Sequence, residues 1–142
     1  MCHEKTAALL RDRSAGHRCR GWRSNLASQR FAVWGTVGES ELLNPGSGLD
    51  GVRLKNGHWL LVYNDTLEGR SSLAVSVSDD EGRTWKWTRH LEKHDSGAYH
   101  YPAVIQGREG TIHLVYSYFV DGGKSMKHAA VNEAWIQQGD IE

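Results

Sequence analysis

The sequence predicts an all-β fold of about two four-stranded antiparallel units, preceded by an irregular or weakly helical N-terminal segment. Three observations carry that reading: short apolar or alternating runs, turn residues at the breaks between them, and an internal repeat. The runs are LDGVRL (49–54), HWLLVYN (58–64), SLAVSVS (72–78), WKWTRHLE (85–92), YPAVIQ (101–106), TIHLVYSYF (111–119) and SMKHAAVN (125–132). None is long enough for a typical helix, and several alternate with the period of a strand.

The breaks fall at Lys55-Asn56-Gly57, Asp79 to Arg83, Arg108-Glu109-Gly110 and Asp121-Gly122-Gly123. Asn, Asp and Gly accept the positive φ that tight hairpins require. The repeat pairs NGHWLLVYND with EGTIHLVYSY at an offset of 53 residues, aligning Gly57 with Gly110, Leu61 with Leu114 and Tyr63 with Tyr116. A β-rich unit of about 50 residues has the size of one propeller blade. Residues 49–92 supply the four strands of one blade and residues 99–135 a partial last blade, so the architecture expected is a partial β-propeller. A blade short of a strand leaves an unpaired edge. Self-association through such open edges is expected.

With 142 residues the chain has the length of one ordinary domain. Its 17 Lys and Arg balance 17 Asp and Glu, which gives no reason to expect a nucleic-acid or membrane partner. The balance is uneven, and it divides the chain. Residues 1–33 carry seven basic side chains against two acidic ones, and 34–142 carry ten against fifteen. The expected domains are therefore a basic N-terminal segment, 1–33, and a β fragment, 34–142. The two cysteines, Cys2 and Cys19, both lie in the basic segment, so a disulfide framework is not expected. The start, MCHEKTAALLRDR, has too short an apolar stretch for a convincing signal peptide.

One motif stands out. Ser78, Asp80, Gly82, Thr84 and Trp85 form S-x-D-x-G-x-T-W between the third and fourth strands of the complete blade. Turn chemistry accounts for each residue: Asp80 caps backbone N–H groups, Gly82 takes a positive φ, Thr84 re-enters the strand and Trp85 packs over the turn. A calcium loop needs more oxygen ligands at alternating positions. The histidines likewise lack metal-ligand spacing, so no metal and no cofactor are expected.

The same five residues resemble the Asp box of the bacterial neuraminidase repeat, found in sialidases and related six-bladed propellers. RSSLAVSVSDDEGRTW resembles the sialidase strand that brings the third arginine of the triad before its Asp box, which singles out Arg70 as a carboxylate ligand. SGAYHYPAV resembles the stretch bearing the tyrosine nucleophile, matched here to Tyr99, with Tyr101 and His100 beside it as weaker substrate contacts. NPGSGLDGVRLKNG and MKHAAVN extend the likeness, which covers 34–138. Asp50, on the first strand of the complete blade, is expected either to face the same cleft and contact sugar hydroxyls or to serve a turn or strand end.

The resemblance implies the C-terminal part of a sialidase-like exo-glycosidase. The parent would hydrolyse a terminal sialic acid or related acidic sugar, with a glycan as partner and a secreted or periplasmic location. It also implies two further arginines, an acid/base aspartate and an activating glutamate upstream. No equivalent stands in 1–33, so this chain alone is expected to be inactive. The alternative is a non-catalytic carbohydrate-binding or interaction module. The chemistry fits the matched residues: an arginine fork suits a carboxylate, and sialidases use tyrosine where other glycosidases use a carboxylate.

Overall fold

The computed structural model describes residues 40–140, all within one compact unit that begins at Glu39. The helical expectation for 1–33, and Cys2 and Cys19, lie outside the described residues.

The unit is all-β. β1 (Asp50–Arg53), β2 (Trp59–Tyr63), β3 (Ser72–Ser78) and β4 (Trp87–Lys93) form one antiparallel meander; β5 (Ala98–Gln106), β6 (Ile112–Val120) and β7 (Gly123–Val131) form a second. We refer to them as sheets A and B. A short helix, α1 (Glu133–Gln137), follows β7; the sequence pattern predicts a last run ending at 132 and no helix after it.

The hairpins form where the turn residues stand. Gly57 and Gly110 take φ values of 95° and 98°, and Asp121 and Gly122 take 51° and 80° in the β6–β7 turn. Two consecutive positive values are what a two-residue hairpin with the right twist demands.

The sheets share one core. Leu60 and Val62 from β2, and Leu73, Val75 and Val77 from β3, meet Val104 from β5 and Ile112, Leu114 and Tyr116 from β6, all buried. β3 is buried along its whole length. Its second face carries Ala74, Ser76 and Ser78, where Ser76 hydrogen-bonds the Tyr63 and Thr88 hydroxyls at 3.0 and 2.7 Å. Those two bonds offset the cost of burying the Ser76 hydroxyl.

The chain returns from sheet B to sheet A through α1. Asn132 caps the helix, its side chain accepting the Trp135 N–H at 2.8 Å. Arg89 of β4 stacks 3.8 Å over the Trp135 ring and donates to the Trp135 carbonyl at 2.7 Å. Just beyond, Asp140 pairs with His90.

One irregularity positions the candidate site. His100 pairs with Ser117, but Ala103 pairs with Val115, so Tyr101 and Pro102 together oppose Tyr116 alone. The extra residue of this β-bulge switches which side chains face the core. Before it Tyr99 is buried; after it Pro102 and Val104 are. Tyr101 is left outside, with 71 % of its surface exposed.

Candidate functional site

The Asp-box residues fold into a self-contained turn. The Ser78 hydroxyl accepts the Gly82 N–H at 2.8 Å and donates to Asp80 Oδ1 at 2.8 Å. Asp80 in turn accepts the Thr84 N–H at 2.8 Å and the Thr84 hydroxyl at 2.7 Å. Thr84's hydroxyl and N–H, then Ser78's hydroxyl, hold the Asp80 carboxyl down at about 2, because each bond favours the ionised form. Glu81 and Gly82 take φ values of 62° and 83°, and the rings of Trp59 and Trp85 lie against Gly82. These contacts use the motif's polar groups within the turn itself.

Arg70 stands at the other end of β3, just before Ser72. Seven strand residues separate the two places, a span of about 20 Å at a rise of roughly 3.3 Å each. Arg70 Nη1 lies 2.5 Å from His100 Nδ1, and its guanidinium lies 5.4 Å from the centre of the Tyr101 ring. Among the described residues no carboxylate pairs with Arg70. An arginine held by a neutral ring and an aromatic face, and by no acid, keeps its charge available for an incoming anion.

Tyr101 has φ +49°. Of the three non-glycine residues with positive φ among those described, Glu81 and Asp121 sit in hairpin turns, and Tyr101 sits inside a strand immediately before a proline. Such a conformation costs about 1–3 kcal/mol and concentrates at functional sites. Its ring faces Gly48, where an added Cβ would stand 3.5 Å from Tyr101 Cδ1.

Tyr99, matched to the nucleophile by the resemblance of SGAYHYPAV, is 1 % exposed. Its main-chain N–H donates to the Arg70 carbonyl at 2.9 Å, but its ring packs against Tyr116 and Tyr118 at centroid distances of 6.4 and 5.7 Å. Burial, and then the Glu92 carboxylate, push its phenol above the usual tyrosine range. The backbone thus brings Tyr99 beside Arg70 while the side chain turns into the core. Asp50 is also engaged: one oxygen accepts the Gly51 N–H and the other the Val104 N–H, both at 2.9 Å. It ties β1 to β5.

Sequence reasoning missed Asn64. Fully buried, it donates to the Ser72 carbonyl at 2.7 Å and the Tyr99 carbonyl at 3.2 Å, and accepts the Ser47 hydroxyl at 2.7 Å. One side chain thereby fixes the loop facing Tyr101, the start of β3 and the start of β5. A polar residue closing the apolar strand WLLVY was the available signal.

The family model described as a BNR repeat-like domain matches residues 2–114. The match starts ahead of the stretch read from the motifs and stops inside β6. No match is found among curated proteins.

Proposed function

The chain belongs to the BNR repeat-like family, and from that premise we propose that it is a sialidase-like propeller module that binds a terminal acidic sugar. Arg70 receives the sugar's carboxylate in this reading, and Tyr101, rather than Tyr99, faces the anomeric carbon. The observation supporting it most is the Arg70–His100–Tyr101 group: an acid-free arginine beside an exposed, strained tyrosine.

The chemistry follows from charge. A sugar whose anomeric carbon bears a carboxylate would repel a carboxylate nucleophile, whereas a phenol carries no charge until it reacts. A phenol, with a reference pKa near 10, needs a base to attack at neutral pH. Among the described residues, no carboxylate hydrogen-bonds or pairs with Tyr101, and both Asp50 oxygens are occupied. Binding without turnover is therefore the behaviour expected of this chain alone. The same observation favours the second reading, a carbohydrate-binding module without catalysis.

Calorimetric titration with N-acetylneuraminic acid and with its methyl ester tests the proposal. Binding of the acid, at least about tenfold weaker with the ester and with Arg70→Ala, is expected, since a charge-assisted bidentate contact contributes about 1.5–3 kcal/mol. Tyr99→Phe should leave it unchanged. Equal binding of acid and ester would remove the carboxylate from the account. A fluorogenic sialoside separates the two readings: cleavage, lost with Tyr101→Phe, supports an enzyme.

A further inference from the structure

We propose that His100 is a positioning residue for Arg70 that works only as a neutral imidazole, so that the anion-binding arrangement dissolves when His100 takes a proton. The proposal rests on the reading of Arg70 as the carboxylate ligand, but its first test does not need a sugar.

The geometry supplies the reason. A guanidinium has five N–H donors and no acceptor. The 2.5 Å contact between Arg70 Nη1 and His100 Nδ1 therefore requires Nδ1 to be the acceptor and the ring's proton to sit on Nε2. With Nη1 engaged by the ring, the remaining N–H groups of Arg70 are held in one orientation for a carboxylate. A second proton on His100 would set N–H against N–H and cation against cation.

The groups around His100 offer a proton no reward. Arg70 lies on one side, the Tyr101 ring centre is 6.0 Å away and that of Phe119 5.0 Å, and Ser117 is its partner across β6. Beyond Phe119 stands a cation, Lys124, 5.7 Å from that ring's centre. Burial first, and then the Arg70 charge, move His100 below the ordinary histidine range. Two other histidines contrast with it: His58 faces Glu133 at 2.5 Å, and His90 lies between Asp65 and Asp140.

The expectation opposes simple electrostatics, in which a protonated His100 would attract an anion more strongly. Here acidification weakens binding, because the charge gained is outweighed by the release of Arg70.

The test uses the full chain and two readouts. The first is the imidazole titration followed by NMR. His100 should titrate below the ordinary value of about 6.5, and Arg70→Ala should raise its midpoint. The second is N-acetylneuraminic acid affinity between about pH 5 and 8. His100→Asn keeps an acceptor near the Nδ1 position and cannot titrate. It should bind within about threefold of the parent at high pH, with the acid-side loss removed, whereas His100→Ala should bind about tenfold more weakly. A His100 midpoint at or above the ordinary value, or one indifferent to Arg70→Ala, overturns the proposal. So does an acid-side loss that persists in His100→Asn. Should the parent bind no sugar at any pH, the functional reading fails, and the titration still decides whether His100 and Arg70 are coupled.

Discussion

Sheets A and B are built on the same repeat, and they differ in what covers them. In β2, Leu60 and Val62 point into the shared core; their repeat equivalents in β6, His113 and Val115, point outward, and Val115 is 39 % exposed. Conversely, Leu114 and Tyr116 of β6 point into the core, and their equivalents Leu61 and Tyr63 lie on the opposite face of β2. The two sheets therefore stack front to back, as successive members of a series do. Such heterologous stacking leaves one face at each end without a partner of its own kind. On sheet B that face carries Ile105 and Met126, each 64 % exposed.

They also end differently. β3 closes into the Asp-box turn and continues into β4, whereas β7, 53 residues on, runs into Asn132 and α1. The chain leaves sheet B a strand short and anchors its tail on sheet A instead.

The sharpest way to break the comparison is to delete the equivalent leucines. Leu114→Ala should cost about 2–5 kcal/mol, because its site is a closed core. Leu61→Ala, at a half-buried position, should cost about 1 kcal/mol in the same urea titrations. Equal losses would mean that the two faces are covered alike.

Next comes the turn that only sheet A has. Ser78→Ala removes the acceptor of the half-buried Gly82 N–H, and losing a typical hydrogen bond costs about 1 kcal/mol. Thermal melts measure it. Acid should loosen the same turn: Asp80 is held at about 2, so its contribution is intact above the unfolded carboxyl value and fades as pH falls toward the folded one.

The open face of sheet B sharpens the contrast further. Replacing Ile105 and Val115 by lysine should lower concentration-dependent association in sedimentation velocity and change stability by only about 0.5 kcal/mol each, as at other exposed positions.

The smallest effect concerns the tail. Burial alone would lower His90, but the hydrogen bonds its ring donates to Asp140 and Asp65 outweigh it and raise its pKa. A raised histidine stabilises fully below its unfolded value and loses that contribution as pH rises through the folded one. Asp140, whose pKa is lowered by the His90 N–H and imidazole against the opposing effect of burial, holds until pH falls through its own. Protection factors of the α1 amides, which are corrected for the intrinsic rise of exchange with pH, should therefore fall on the alkaline side, and His90→Gln should remove that fall.

Much of this was legible in the residues. β3 occupies 72–78 in both the reading and the structure, because Gly, Ser and Asp mark its limits and β-branched residues fill it. The arrangement of the candidate group was only partly legible. The family resemblance singles out Arg70, but strict alternation puts Tyr99 and Tyr101 on one face of a strand. The bulge separates them, one to the core and one to solvent, and nothing in the apolar pattern marks it. Pro102 was the signal: lacking an N–H, it cannot hold an ordinary ladder position. Asn64 and α1 escaped for another reason, since each is fixed by partners distant in sequence: Asn64 by Ser47 and Tyr99, α1 by Arg89.

The central claim is that an acidic sugar meets this protein at Arg70. Chemical-shift mapping of the isotope-labelled chain during titration with N-acetylneuraminic acid tests it most directly. The account predicts saturable shifts at the Arg70 side-chain N–H, His100 and Tyr101, little change at the ring of Tyr99, and loss of all of them in Arg70→Ala. Shifts confined to the cleft beside Trp59 and Trp85, or a response that survives Arg70→Ala, would contradict it.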